Sequence, residues 1–368
     1  MIYISLFILL IVLRYSALGN RKLLLELFPL VFILLFLFVS FRFEVGCDWP
    51  KYRLDFNNFG VYMFGMDLTI VEPGYFFINS IIKSMGLSYV WVNVVYSAIF
   101  FSGIWVFAKR QKDPLATIIL MFPILMMNMP MSGIRQGAAI GVICMAYIAF
   151  IDQKIWKFIL LVFLGSTFHS SSLIFLVLLP FIKGDFTLKR FVFGGLFAAL
   201  PIFTVLALST LGELASDRYI DNTGTTSGEA YEAAGALYRV GFLGIAAFVF
   251  LLFYREQWQK KFPEDYRLMI LGSLLMVGIF IILPLSSIIS DRMGYYLIPI
   301  QVAFFARLPY MQFKNWRLFW ISAPYLMSLM IFSVWILLSS NYQVCYEPYS
   351  SWLLGLPESR SQYYEFWD

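Results

Sequence analysis

Charge is scarce in this chain: Asp, Glu, Lys and Arg supply 13% of 368 residues, against 61% hydrophobic and 19% aromatic. Soluble domains carry about a quarter charged residues, so a water-facing globular fold is excluded. Histidine is nearly missing, with His169 the only one. The three cysteines, Cys47, Cys144 and Cys345, have no metal-type spacing, so a His/Cys metal centre is excluded and no metal ligands are expected. No nucleophilic triad assembles around the single imidazole. No Gly-rich phosphate loop follows a strand, which argues against ATP-driven chemistry, and nothing in the chain calls for a cofactor or a nucleic acid. Apolar and polar residues do not alternate as they would in a barrel. The chain also lacks internal repeats and low-complexity tracts.

What remains is a series of apolar runs of about twenty residues, the length of one bilayer crossing, separated by short polar breaks. The reading is an all-α polytopic membrane protein, a single integral-membrane domain over residues 1–368. Ile2 to Leu18 lacks a basic leader and a small-residue cleavage site, so it reads as a retained helix. Further spans are expected at Leu23 to Phe41, Tyr89 to Ala108, Leu115 to Pro130, Gln136 to Ile151 and Trp156 to Thr167. Later ones are Leu188 to Leu211, Leu237 to Tyr254, Leu268 to Ile288, Met293 to Ala306 and Leu318 to Ser339. Between them, Trp156 to Ile182 is broken by His169-Ser170-Ser171-Ser172, and reads either as one long helix or as two short legs.

Basic residues decide that choice. If Ser170 to Ile182 is a return leg, one side holds 18 of the 27 Lys and Arg with 7 of the 22 acids, and is the cytoplasm. A single long helix would put the later basic loops outside. Twelve crossings with both termini extracytoplasmic follow; a re-entrant hairpin for the two short legs gives the same parity. The outer side then gathers residues 42–88, 212–236 and 341–368. Cys47 and Cys345 share that oxidising side, so a disulfide joining them is conceivable, though sequence does not place them together.

Seven of the nine outer basic residues are arginines, namely Arg42, Arg53, Arg135, Arg218, Arg239, Arg292 and Arg360, whereas the inner side has eight arginines and ten lysines. Sidedness is indifferent to the cation, but forked recognition of phosphate favours arginine. Arg218, Arg239 and Arg360 are expected to pair with nearby acids. Arg135 opens a helix bearing Gly133, Gly137 and Gly141, a face that lets a neighbour approach closely. A cation there opposes the helix dipole, so an anion is expected beside it. Asp291-Arg292, opening a later span, is a second such place, with an internal ion pair as its alternative.

The densest outer stretch is Phe41 to Tyr75, where Arg42, Glu44, Asp48, Lys51 and Arg53 follow an apolar span and Glu72-Pro73-Gly74-Tyr75 comes later. Pro73 and Gly86 bracket a short helix, Gly74 to Met85, expected to lie in the interface. Asp48 and Glu72 are placed to act as bases, while Asp55, Asp67 and the acids near Asp221 read as solvated surface. His169, at the apex of the broken pair, either takes a proton from a hydroxyl or stitches Ser170 to Ser172.

These residues resemble the EpsG-like polysaccharide polymerases, a branch of the Wzy O-antigen and exopolysaccharide polymerases. The matching pieces are Phe41-Arg42 with Val45-Gly46-Cys47-Asp48-Trp49 and Tyr52, then Glu72-Pro73-Gly74-Tyr75, Arg135-Gln136, Phe168-His169-Ser170-Ser171, Asp291-Arg292 with Tyr295-Tyr296, and Pro348-Tyr349. Family members commonly carry a small residue, often Thr, where Cys47 stands. The resemblance implies a GT-C-like glycosyltransferase of the bacterial cytoplasmic membrane. It would join undecaprenyl-pyrophosphate-linked repeat units at the outer face, alongside a flippase and a chain-length regulator. Arg135, Arg42 and Arg292 would hold pyrophosphate. His169, Asp48 or Glu72 would orient or deprotonate the acceptor, with Tyr52, Tyr75 and Asp291 at the sugar. An O-antigen ligase and a flippase are the rival readings.

Overall fold

The computed structural model describes residues 2–59, 72–184, 186–207, 235–313 and 315–355. Asp67, Arg218, Asp221 and Arg360 lie outside the described residues, as does the loop 212–236 except for its last two positions.

Among the described residues every regular element is helical, with one isolated bridge joining Arg42 to Ser351. The chain opens with α1 (Ile2–Ser16), α2 (Arg21–Ser40), a short α3 (Trp49–Asn57) and α4 (Pro73–Ser84). Then come α5 (Val90–Lys109), α6 (Pro114–Met121, running on through a π turn at Phe122–Met126) and α7 (Ile134–Ile151). Next are α8 (Ile155–Ser166), a 3-10 segment (Ser170–Phe181) and α9 (Leu188–Ala207). The last third holds α10 (Ala236–Val249, followed by a π turn at Phe250–Tyr254), α11 (Arg255–Lys261), α12 (Tyr266–Ile282), α13 (Ser287–Arg307), α14 (Arg317–Leu338) and α15 (Ser340–Tyr346).

Five of these are long and apolar enough to cross a bilayer: Arg21–Ser40, Val90–Lys109, Ile134–Ile151, the continuous Ala236–Lys261 and Arg317–Leu338. Five shorter apolar helices accompany them, and the chain is an all-α polytopic membrane protein. Leu9, Leu30, Ile33, Leu160, Leu252 and Leu337 are exposed, as side chains facing hydrocarbon should be.

The expected break at His169 is present. Phe168 and His169 donate their main-chain N–H groups to Gly165 O, ending α8, and Ser172 N–H bonds His169 O to open the 3-10 segment. Three boundaries differ from expectation. Arg255 to Lys261 is helical, because its residues are good helix formers and Trp258 is buried, donating to Asp265 at 2.9 Å. Helix α13 begins at Ser287, so Asp291 and Arg292 lie a turn inside it. Helix α3 was not anticipated, although Asp48 at its N-cap and Pro50 in its first turn are start signals.

The chain divides into two compact units, one of Met1–Gly65, Tyr75–Gly141 and Phe305–Asp368, the other of Met66–Gly74 and Val142–Phe304. In the first, Phe28 stacks on Trp105 at 4.8 Å and Phe32 meets Phe101 edge-on at 5.2 Å, joining α2 to α5. A Cβ on Gly103 would stand 1.7 Å from Gly141 O, so α5 and α7, two turns into the latter, meet backbone to backbone. Arg14 is buried in an ion pair with Asp113, whose other carboxylate oxygen caps α6 by accepting from Ala116 N–H at 2.9 Å.

The end of this unit that carries the loop after α2 is tied together by one guanidinium. Arg42 is 1% exposed. Its Nε donates to Val45 O and Met131 O, each at 3.0 Å, and its Nη1 to Val39 O at 2.9 Å. Gly46 is left-handed at φ +108°, and a Cβ there would stand 1.8 Å from Met131 O. Gly46 N–H donates to Cys345 O, Phe43 N–H to Ser350 O and Trp352 N–H to Phe41 O, so the tail is laced to the loop. Cys47 and Cys345 form a disulfide with Cα atoms 4.8 Å apart.

In the second unit, α8, the 3-10 segment and α9 pack in sequence. Gly194 of α9 lies against Val177 O, and Arg267 reaches Ile182 O at 3.3 Å. Gly244 meets the ring of Phe280, and Gly272 meets Ile300, joining α10, α12 and α13.

Two outcomes follow for the laced end. Alkylation of the denatured, unreduced protein should label Cys144 alone, and Cys47→Ser should lower unfolding free energy by about 2–4 kcal/mol; labelling at all three positions refutes the bond. Arg42→Ala strands three buried carbonyls, so it should lower stability by about 3 kcal/mol or more, read as loss of folded, detergent-resistant protein. Full thermal stability of that variant would contradict the tie.

Candidate functional site

Chemistry-bearing side chains gather in two clusters, one in each unit. The first rests on α3 and the start of α7. Positions 48, 52 and 55 share one face of α3 through spacings of four and three. Asp48 N–H donates to Ser132 Oγ at 3.2 Å, and that hydroxyl donates to Asp48 Oδ2 at 3.1 Å. One turn on, Arg135 Nε donates to Tyr52 OH at 3.3 Å.

The Arg135 guanidinium carbon lies 5.6 Å from the Tyr52 ring centroid and 5.4 Å from that of Tyr75. Each such contact is worth about 0.5–2 kcal/mol, and together they fix the plane of the fork. Tyr75 is held in turn by Tyr96, whose hydroxyl donates to Tyr75 O at 3.0 Å. Burial pushes the Tyr75 phenol up, with Tyr52 adding and Arg135 opposing, so the ring facing the cation stays neutral. Asp55, expected to be plain solvated surface, keeps an open path to water but lies within electrostatic range of Arg135.

Tyr52 and Tyr75, expected at the sugar, are thus rings that hold Arg135. Arg42, expected at the phosphate, is committed to main-chain carbonyls. Of the three glycines in the Arg135 stripe, Gly137 and Gly141 press on backbone and Gly133 does not.

The second cluster forms where the chain passes from Glu72 into α4 and where α8 breaks. Gly74 N–H donates to Thr167 O at 3.0 Å, and a Cβ on Gly74 would stand 2.4 Å from Thr167 Oγ1. That contact brings Glu72, 5% exposed, to His169: Oε1 lies 2.8 Å from Nδ1. The stitching foreseen for His169 is done by its main chain, leaving the ring for Glu72. A carboxylate at Nδ1 keeps the proton there in the neutral ring and leaves Nε2 as an acceptor. Ser171 Oγ lies 3.0 Å from Tyr296 OH, and Tyr147 OH donates to Tyr296 O at 2.9 Å. Glu72 and Arg292 both lie within electrostatic range of Tyr296. Asp291 is taken up by Arg239 in a two-pronged pair at 2.7 and 2.8 Å. Arg239 therefore pairs with an acid, but one 52 residues along the chain and not a close neighbour in sequence, and it is Arg239 that Asp291 holds.

Sequence reasoning missed Ser132 and the Arg239 to Asp291 pairing, and it named Ser171 and Tyr296 only as members of matching motifs, with no role. Their partners are set by tertiary packing. Among the described residues no group of three His, Cys, Asp or Glu side chains is close enough to hold a metal ion.

No curated protein and no solved structure matches the chain. The EpsG family model matches residues 25–351, which spans both clusters and nearly all of the helices, and the protein belongs to the EpsG family of Wzy-like polysaccharide polymerases.

Proposed function

We propose that the protein joins oligosaccharide repeat units carried on undecaprenyl pyrophosphate into a long polysaccharide at the outer face of the bacterial cytoplasmic membrane. The observation that carries this reading is the Arg135 guanidinium, set between Tyr52 and Tyr75 at the second residue of a long helix. A cation fixed in orientation at the positive end of a helix dipole is suited to a doubly charged leaving group.

In the reaction, an acceptor hydroxyl oxygen bonds to the anomeric carbon of the growing chain. The bond from that carbon to the pyrophosphate oxygen breaks, and its electron pair departs on the phosphate. Arg135 spreads that charge. The hydroxyl proton passes to a base and then to water, the base role being the one that the family resemblance gives His169, Asp48 or Glu72. Arg292 supplies a further cation near Tyr296, and Asp48 keeps Ser132 and the approach to Arg135 in place. Arginines can neutralise the leaving group, so the reading needs no metal.

Sidedness is supported from two directions. The charge count puts the basic loops on the opposite side from Cys47 and Cys345, and a disulfide belongs to an oxidising compartment. We assign twelve crossings in a GT-C-like arrangement, with α8 and the 3-10 segment as the two short legs. A flippase would deliver the units, and a chain-length regulator would act on the product.

Arg135→Ala should leave a folded, inserted protein whose rate falls about a hundredfold or more, with surface glycan capped at one repeat unit. Arg135→Lys should recover part of the activity, because it restores charge without the fork. Wild-type chain lengths in a well-expressed Arg135→Ala strain would sink the assignment. Long polymer stranded on its carrier after gene deletion would indicate a ligase, and absence of any exported unit a flippase. Glu72→Gln keeps the size but not the charge facing Nδ1, and should lower turnover about tenfold to a hundredfold with lipid pyrophosphate binding retained. Unchanged turnover would remove the pair from the chemistry.

A further inference from the structure

The carboxylate of Asp55 has no part in the scheme above, yet it lies where an anion held by Arg135 would feel it. It follows Tyr52 by three residues on the same face of α3, and Tyr52 is the residue that receives Arg135 Nε. Its field reaches both Arg135 and the Tyr75 phenol on the other side of that guanidinium. Asp55 is exposed, so its position is not explained as core packing. A negative group in electrostatic contact with the anion-binding arginine weakens whatever anion that arginine holds.

We propose that Asp55 is a positioning residue that limits the grip of Arg135 on the pyrophosphate, so that the spent polyprenyl pyrophosphate leaves after each transfer. The proposal rests on Arg135 being the pyrophosphate site. It differs from a base role in sign: a base is lost with its charge, whereas removing a counter-charge tightens the product. An enzyme that must shed a charged lipid on every cycle gains turnover from a site that does not hold that lipid too firmly.

Among the described residues, charged and titratable groups that reach Asp55 come from α3, α7 and α4. Lys51 lies one turn earlier on α3, and Arg135 and Tyr75 come from α7 and α4. Lys83 of α4 is taken up by Phe56 O at 3.0 Å and Asn57 O at 3.1 Å, at the end of α3. Loss of water around the carboxylate raises its pKa, against the lowering pull of Lys51 and Arg135. The sign follows. Above that pKa the carboxylate is charged and opposes the phosphate; as pH falls through it, the proton removes the opposition and the wild-type site tightens.

The test uses full-length protein in nanodiscs, with farnesyl pyrophosphate as the probe and calorimetry as the readout. At pH 7.5, Asp55→Asn should bind about three- to tenfold tighter than wild type, and Asp55→Glu should match wild type. The ratio of Asp55→Asn to wild-type affinity should fall toward one as the pH is lowered through the carboxylate range. In turnover, Asp55→Asn should lower KM and kcat together. Affinity in Asp55→Asn equal to or weaker than wild type at pH 7.5, with Arg135→Ala abolishing binding, would overturn the proposal and leave the Arg135 site standing. Undiminished binding in Arg135→Ala would overturn both.

Discussion

A buried guanidinium that donates to three main-chain carbonyls is the constraint on which the loop after α2 and everything packed on it depend. Arg42 joins the last turn of α2, the loop after it and the residue that precedes the turn into α7. Carbonyl dipoles stabilise a buried cation only when they are held in place, and here the backbone has little freedom to relax. Gly46 is pressed on Met131 O, and the tail is bonded to the same loop on its other side. From that fixed point α3 leaves in the direction that sets Asp48 against Ser132 and Tyr52 against Arg135. The placement of the half-buried Arg135 thus depends on the fully buried Arg42.

The second cluster depends on a helix that stops. Helix α8 runs only from Ile155 to Ser166, about 18 Å at 1.5 Å per residue, well short of a hydrocarbon core of about 30 Å. The chain reverses with His169 in an extended conformation, and a 3-10 segment carries it back. An uninterrupted helix would have turned the imidazole into its own i±4 packing. Ending it frees the ring to meet Glu72, which the Gly74 to Thr167 bond delivers from far earlier in the sequence.

Much of the fold was legible because membrane helices advertise themselves. Composition, run length and the asymmetry of Lys and Arg are each local or additive, so they survive being read along one dimension. The short α4 was legible from Pro73 and Gly86, and the break at His169 from its serines and from parity. What failed was pairing. The pattern of residues 41–53 announces a charged loop equally well whether Arg42 faces a ligand or its own backbone, since the deciding carbonyl belongs to Met131. Tyr52 and Tyr75 were recognised as site residues, but their contact with Arg135 was not foreseen, because a ring that stacks on a sugar and a ring that stacks on a guanidinium look alike in sequence. Asp55 was passed over for the complementary reason: without knowing that α3 is a helix, nothing ties position 55 to position 52. Conversely, Gly103 opposite Gly141 could not be foreseen from the Arg135 stripe, as only one of the two facing glycines lay in it.

The ion pair at the other end of the first unit bears on how such a chain is made. Arg14 sits in the last turn of a fifteen-residue apolar helix, and Asp113, its partner, is synthesised 99 residues later. During that interval the arginine must stay near headgroups and water, since an unpaired cation in hydrocarbon is costly. The depth of α1 is thus tied to a carboxylate 99 residues along the chain, and the same carboxylate holds the start of α6 through the Ala116 amide, so one side chain sets two helices at once.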